Sequence, residues 1–166
     1  MMQNKNNPDN DLAQPPFTLF LRVRYGECDP QSVVFNARYG DYVDVAMTEF
    51  FRAVFGPWQQ VLDRGLDCQV VKLTTQWQDA ARFDDVLALQ VHTQQIGTTS
   101  FCLQVAITRA SDAQAIASAE CTYVMVSTPA SPEVGFCKTP VPDDFRAALH
   151  AGASGITADQ AAFLSR

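Results

Sequence analysis

The 166-residue sequence predicts an α+β domain in which a five-stranded antiparallel sheet wraps around one long helix. Three observations carry that expectation. One long segment, residues 36–55, has an apolar period near 3.6. Period-2 alternation precedes it once and follows it in four segments. Tight-turn residues separate the later segments, which makes them sequential hairpins rather than βαβ units. Hydrophobic residues make up 47% of the chain and charged residues 18%, enough apolar material for a core and too little charge for a disordered chain. The length suits one domain.

The elements follow in order. Residues 1–16 carry Asn, Asp and three prolines with no apolar period, the composition of a flexible arm. From Thr18 to Arg24, Leu19, Leu21 and Val23 alternate with Thr18, Phe20, Arg22 and Arg24, the period-2 pattern of a strand. Tyr25 to Ser32 is rich in turn formers. Tyr39, Tyr42, Val43, Ala46, Phe50 and Val54 then mark one face of a helix about 30 Å long. Asn36 is its predicted N-cap and Gly56-Pro57 its stop. A short helical turn is expected over Trp58–Arg64, then strands over Asp67–Trp77, Phe83–Gln95, Ser100–Thr108 and Ala115–Ser127. Pro142 with Asp143 and Asp144 opens a short helix to about His150. The domain is therefore placed at 17–150, leaving a 151–166 tail in which Thr157-Ala-Asp-Gln160 is a candidate capping box for a last short helix.

Composition also excludes functions. Twelve basic against 18 acidic residues give a net charge of −6, with no basic run to neutralise a phosphate backbone, so nucleic acid is not an expected partner. No apolar stretch is long enough for a membrane span, and the amino terminus is polar, so a cytoplasmic protein without membrane contact is expected. Five cysteines without a C-x-x-C pair suggest reduced, mostly buried thiols. Only His92 and His150 are present, without metal-ligand spacing, so no metal is expected.

Asp29-Pro30 sits in the loop before the long helix. Asp-Pro commonly starts a turn, and that alone would account for it. Yet a helix start leaves backbone N–H groups unpaired and partly positive, able to hold the oxygen of a polarised carbonyl. A carboxylate just upstream, facing N–H groups near Asn36, Ala37 and Arg38, would supply a base or nucleophile and an oxyanion site together.

The run Val23-Arg-Tyr-Gly-Glu-Cys-Asp-Pro-Gln-Ser-Val-Val-Phe-Asn-Ala-Arg-Tyr39 resembles the signature of the 4-hydroxybenzoyl-CoA thioesterase family of hot-dog-fold acyl-CoA thioesterases. Arg82-Phe-Asp-Asp-Val-Leu87 resembles the start of that family's second hairpin. The resemblance implies the hot-dog fold, hydrolysis of an acyl-CoA or related thioester, and pairing into homodimers that often assemble as homotetramers. It places Asp29 at the catalytic carboxylate and the backbone N–H of Asn36 at the carbonyl-polarising donor. No cofactor is implied beyond coenzyme A as part of the substrate.

Two departures stand out. Ser32 occupies a position where the family usually has glycine, which restricts the loop and alters the pocket or adds a hydroxyl. The turn Gln94–Thr99 lacks the basic cluster that some members use to hold nucleotide phosphates, leaving Arg82, Lys72 or Arg109 to grip coenzyme A, although each also reads as a solvated edge residue. The expected acyl pocket is apolar, draws on Phe35, Tyr39 and Trp77, and lies between protomers; each aromatic also suits core packing. Cys28 next to Asp29 lacks a nearby histidine to activate it. Glu27 reads as a solvent-facing turn residue, Asp84-Asp85 as a strand start, and Asp44 and Glu49 as helix-surface or interface charges.

A thiolate leaving group has a conjugate acid of pKa about 8.5 on the cysteine scale, so it needs little help from a general acid. One carboxylate plus an oxyanion site then suffices, by direct attack or by activating water. A hydratase of this fold would want a histidine near the helix start, where none stands. A non-catalytic acyl-CoA sensor would keep the pocket without needing Asp29.

Overall fold

The structure, a computed structural model, describes residues 15–128 and 135–164; the predicted arm lies outside them up to residue 14. Strand β1 (Phe17–Arg22) and a three-residue 3-10 turn (Tyr25–Glu27) lead to α1 (Arg38–Phe55), followed by a one-turn α2 (Gln59–Leu62). The sheet continues with β2 (Leu66–Trp77), β3 (Val86–Ile96), β4 (Ser100–Arg109) and β5 (Ala115–Ser127). A two-residue β6 (Cys137–Lys138), α3 (Asp143–Ala151) and β7 (Thr157–Asp159) complete the described elements.

Spatial strand order is β2-β5-β4-β3-β1-β7, with β6 beside the end of β5. The five long strands pair antiparallel, as the alternation and turns predicted, while β7 runs parallel to β1. Among the described residues the sheet thus has seven strands rather than five. Inward residues of β1, β3 and β4, including Leu19, Leu89, Leu103 and Ile107, meet Tyr39, Val43, Ala46, Met47 and Phe50 of α1 in one core. That two-sided burial is why the helix carries a stripe wider than a single seam.

Two boundaries correct the sequence reading. α1 begins at Arg38, and Asn36 is not its N-cap: Ala37 takes that place without a side-chain cap. Instead, Arg38, Tyr39 and Gly40 donate N–H bonds back to the carbonyls of Phe35, Asn36 and Ala37, so the backbone tightens its own first turn. Gly56 ends the helix at φ +73° with its N–H on the Arg52 carbonyl. In the tail, Thr157–Asp159 is a strand and not a helix. The exposed edge of β1 offers unpaired groups that outcompete a local capping box: Thr18 N–H donates to Ile156 and Gln160 N–H to Phe20.

Candidate active site

The loop before α1 is a miniature hairpin. Glu27 and Phe35 pair at its base, Phe35 N–H to Glu27 C=O at 2.9 Å, and Cys28 bridges Val34 above them. At the tip, Asp29 N–H donates to Val33 C=O and Ser32 N–H to Asp29 C=O, each at 2.9 Å. Pro30 suits this turn because its φ is preset. Ser32 takes φ +63°, where glycine would be at ease. Val34 N–H reaches the Ala81 carbonyl at 2.9 Å, tying the hairpin to the segment after β2.

Asp29 is half-buried. Its Oδ1 accepts the Gln31 N–H at 2.8 Å, which is the turn role that Asp-Pro suggested. Its second carboxylate oxygen takes no hydrogen bond among the described residues. The N–H groups of Asn36 and Ala37, just past the hairpin, also have no acceptor among the described residues. They precede α1, whose amino end adds partial positive charge.

Asn36, Tyr39 and Trp77 meet in a groove of about 310 Å³ that Val34, Gln78, Asp79 and Ala80 complete. Tyr39 is buried, its hydroxyl accepting the Ala81 N–H, and burial foremost raises its pKa. The Trp77 ring stands edge-on to Tyr39 at 6.0 Å and is 51% exposed. The other predicted residues do not border this groove: Asp29 and Ser32 belong to the hairpin tip, and Phe35 is 50% exposed. Arg82 is exposed, with its guanidinium unpaired among the described residues, whereas Arg109 is held by Asp85 at 3.3 Å and Asp112 at 2.8 Å. Of the three cations considered for coenzyme A, Arg109 is therefore already engaged, and Lys72 borders a separate cavity of about 450 Å³ with Glu120.

Glu27 overturns its reading as a solvent-facing turn residue, since it is only 8% exposed. Its Oε2 accepts the Tyr42 hydroxyl and the Arg24 N–H, both at 2.7 Å. Its Oε1 accepts Arg24 Nε at 2.8 Å and pairs with the same guanidinium at 2.7 Å. Burial pushes the Glu27 pKa up, but hydrogen bonds from Arg24 and Tyr42 outweigh it and the carboxyl lies below its ordinary value. Tyr42 is raised, by burial first and then by Glu27. No sequence pattern showed this contact, because Tyr42 lies 15 residues away and fitted the apolar stripe.

Other expectations met mixed outcomes. Asp85 Oδ2 accepts the Arg82 N–H at the start of β3, the strand-start role expected of the Asp84-Asp85 pair. Asp44 is an exposed charge on the surface of α1, as expected, and borders a cavity of about 360 Å³ with Phe51, Trp58 and Tyr123. His92 and His150, far apart in sequence, border one cavity of about 160 Å³ between β3 and α3. All five cysteines are free, but only Cys121 is buried. Among the described residues no helix is long and apolar enough to cross a membrane.

The sequence profile of the thioesterase-like superfamily matches residues 23–149. A 4-hydroxybenzoyl-CoA thioesterase of Pseudomonas sp. strain CBS-3 is 27% identical over 95 residues, 55% of this chain and 67% of that protein. A putative esterase of Aquifex aeolicus is 24% identical over 111 residues, 67% of this chain and 85% of its own length. The solved structure of the Pseudomonas enzyme superposes with TM-score 0.70 at 25% identity, covering 79% of this chain and 96% of that one. A 1,4-dihydroxy-2-naphthoyl-CoA thioesterase from Synechocystis superposes with TM-score 0.69 at 21% identity, over 81% and 95%. The helix wrapped by its sheet, the Asp29 hairpin and the match over most of the chain converge: this protein belongs to the thioesterase-like superfamily, as a hot-dog-fold member of the 4-hydroxybenzoyl-CoA thioesterase family.

Proposed function

We propose that this thioesterase hydrolyses an acyl-CoA thioester to the free acid and coenzyme A, with Asp29 as base or nucleophile and the Asn36 N–H as carbonyl donor. One observation carries the reading: a carboxylate oxygen and two backbone N–H groups, all without partners among the described residues, stand on one hairpin and its exit into a helix. Donors fixed before the reaction cost no reorganisation as charge builds on the carbonyl oxygen.

The chemistry then has two routes. Asp29 can take a proton from water as the water oxygen bonds to the carbonyl carbon; the tetrahedral oxyanion collapses and the C–S bond breaks, releasing thiolate. Alternatively, an Asp29 oxygen bonds to that carbon, thiolate leaves, and water hydrolyses the resulting anhydride. Single turnover in ¹⁸O-water separates them, because only the anhydride route can leave label in the protein. The groove formed by Asn36, Tyr39 and Trp77 offers an aromatic wall for the acyl or pantetheine portion. Phe35 at the base of the hairpin and Ser32 at its tip are candidates for further substrate contact, and Arg82 is a candidate partner for a coenzyme A phosphate.

A homodimer formed through β2 belongs to the same proposal. β2 is the long edge of the sheet, twelve residues without a neighbouring strand on its outer side among the described residues, with Val70, Val71, Leu73 and Trp77 exposed. A long apolar edge of this kind is a template for a second strand. The deciding experiment is a panel of aromatic and aliphatic acyl-CoA thioesters assayed with wild type and Asp29→Asn. Turnover that falls by about 10² to 10⁴ in the variant, the usual contribution of a base, supports the reading. Tight binding with no turnover by wild type supports a sensor instead.

A further inference from the structure

We propose that Glu27 is a positioning residue that sets where the Asp29 carboxylate stands relative to the Asn36 and Ala37 N–H groups, through its simultaneous grip on the hairpin base, on Arg24 and on Tyr42 of α1. The inference rests on the hydrolase reading above and concerns residues that contact no substrate in it.

Geometry argues for the role. Asp29 and Asn36 diverge from one junction: Asp29 lies two residues beyond Glu27 on the outgoing arm, and Asn36 directly follows Phe35 on the returning arm. The Glu27 carbonyl accepts the Phe35 N–H at 2.9 Å, so the spacing of the two arms is set at this residue. The side chain of Glu27 then anchors the junction to two further elements. Its Oε2 takes the Tyr42 hydroxyl at 2.7 Å, from the first turn and a half of α1. The same oxygen takes the Arg24 N–H at 2.7 Å, from the end of the chain leaving β1. Hairpin, helix start and outgoing strand are thus joined at one buried carboxylate whose two oxygens receive all their partners.

Packing alone does not explain this arrangement. A buried carboxylate is costly to desolvate, and well-packed apolar residues often replace buried ion pairs without loss of stability. What a charged acceptor of several donors adds is direction, because each hydrogen bond fixes an angle as well as a distance. A catalytic pair is sensitive to such direction: a displacement near 1 Å costs about 10²-fold in rate.

Tyr42→Phe removes one hydroxyl and keeps the ring in the core. Glu27→Gln keeps the shape and one acceptor oxygen. Both are to be assayed beside wild type and Asp29→Asn, well below their melting temperatures, with kcat and KM measured separately. Amide exchange at Phe35 reads the hairpin base directly. The expected result is kcat lowered about 10- to 100-fold in each variant with KM within about twofold, and faster Phe35 exchange, in protein that remains folded. A purely structural role would lower the melting temperature and leave kcat of the folded enzyme unchanged. Wild-type kcat in both variants, with Asp29→Asn inactive, overturns the positioning role and spares the hydrolase reading. A wild type that turns over no thioester in the panel overturns both.

Discussion

Two turns in this molecule are each organised around an aspartate, and they use it differently. In the C-terminal turn after β7, Asp159 spends both oxygens on backbone: Oδ1 accepts the Ala161 and Phe163 N–H groups at 3.1 and 3.0 Å, and Oδ2 accepts Leu164 N–H at 2.9 Å. Those donors, Leu164 foremost, hold its carboxyl below the usual range. The turn seats Phe163 against Phe20, ring centroids 5.1 Å apart, and keeps β7 on the edge of β1. In the hairpin before α1, Asp29 spends one oxygen on Gln31 and keeps the other. Its hairpin is held instead by backbone pairs and by Glu27 two residues earlier. A carboxylate whose oxygens are all engaged builds structure; one relieved of that work by its neighbours is available for chemistry.

Exchanging the carboxylates for amides should separate the two roles, and the largest effect belongs to the hairpin. Asp29→Asn retains an oxygen to accept the Gln31 N–H, so the melting temperature should hold while kcat falls by about 10² to 10⁴. Melting and turnover curves on one preparation check both halves. A melting temperature that drops while kcat holds would make Asp29 another Asp159.

The C-terminal turn also closes one edge of the sheet, and this sharpens the contrast with the other edge. β7 covers β1, whereas β2 carries no neighbour on its outer side among the described residues. Placing charge there, as in Val71→Lys with Leu73→Lys, should prevent strand pairing and convert a dimer into a monomer in sedimentation. If the partner completes the groove beside Trp77, kcat/KM falls with it. A wild type that sediments as a monomer would remove the proposed interface.

Asp159→Asn is the reciprocal of Asp29→Asn and smaller. The amide offers one oxygen where three N–H groups need acceptors, so the melting temperature should drop by a few degrees with kcat unchanged. The pH dependence has a definite sign. A carboxyl lowered in the folded state contributes stability that is present above its unfolded value, about 3.9, and is lost as pH falls through the folded value. Acid unfolding below about pH 4 should therefore be shallower in the variant than in wild type. Equal slopes would mean that this carboxyl does not govern the acid limb.

Periodic features were legible because periodicity records burial. α1 and the five long strands each repeat their inward residue often enough to be read, and the ends agree within about three residues. β6 and β7 are too short for a period, and β7 exists only because β1 has an edge to offer, a tertiary cause that lies outside the segment itself. The site divides similarly. Asp29 and the helix start after it are local features on one stretch of chain, so their conjunction shows in sequence, and the family signature covers the same stretch. Glu27 was misread because its burial depends on the Tyr42 hydroxyl, and a tyrosine within an apolar stripe does not reveal where its oxygen points. The groove around Trp77 needed the end of β2 brought against α1, which no spacing encodes.

The smallest expected effect returns to the hairpin tip. Ser32 sits at φ +63°, a left-handed conformation that costs a residue with a Cβ roughly 1–2 kcal/mol. Glycine would relieve that strain but lose about 0.4–1 kcal/mol through the larger entropy of the unfolded chain. Ser32→Gly should therefore stabilise the protein by about 0.5–1 kcal/mol, visible as a higher denaturant midpoint at unchanged slope. Its effect on turnover tests where the rigidity of the site resides. The hydroxyl takes part in no hydrogen bond among the described residues, and Asp29 is fixed by its own backbone pairs and by the Glu27 junction below it. Turnover should then be unchanged although the tip becomes conformationally freer. A kcat that falls in Ser32→Gly while stability rises would show that the stiffness of residue 32, rather than the clamp at Glu27, holds the carboxylate in place.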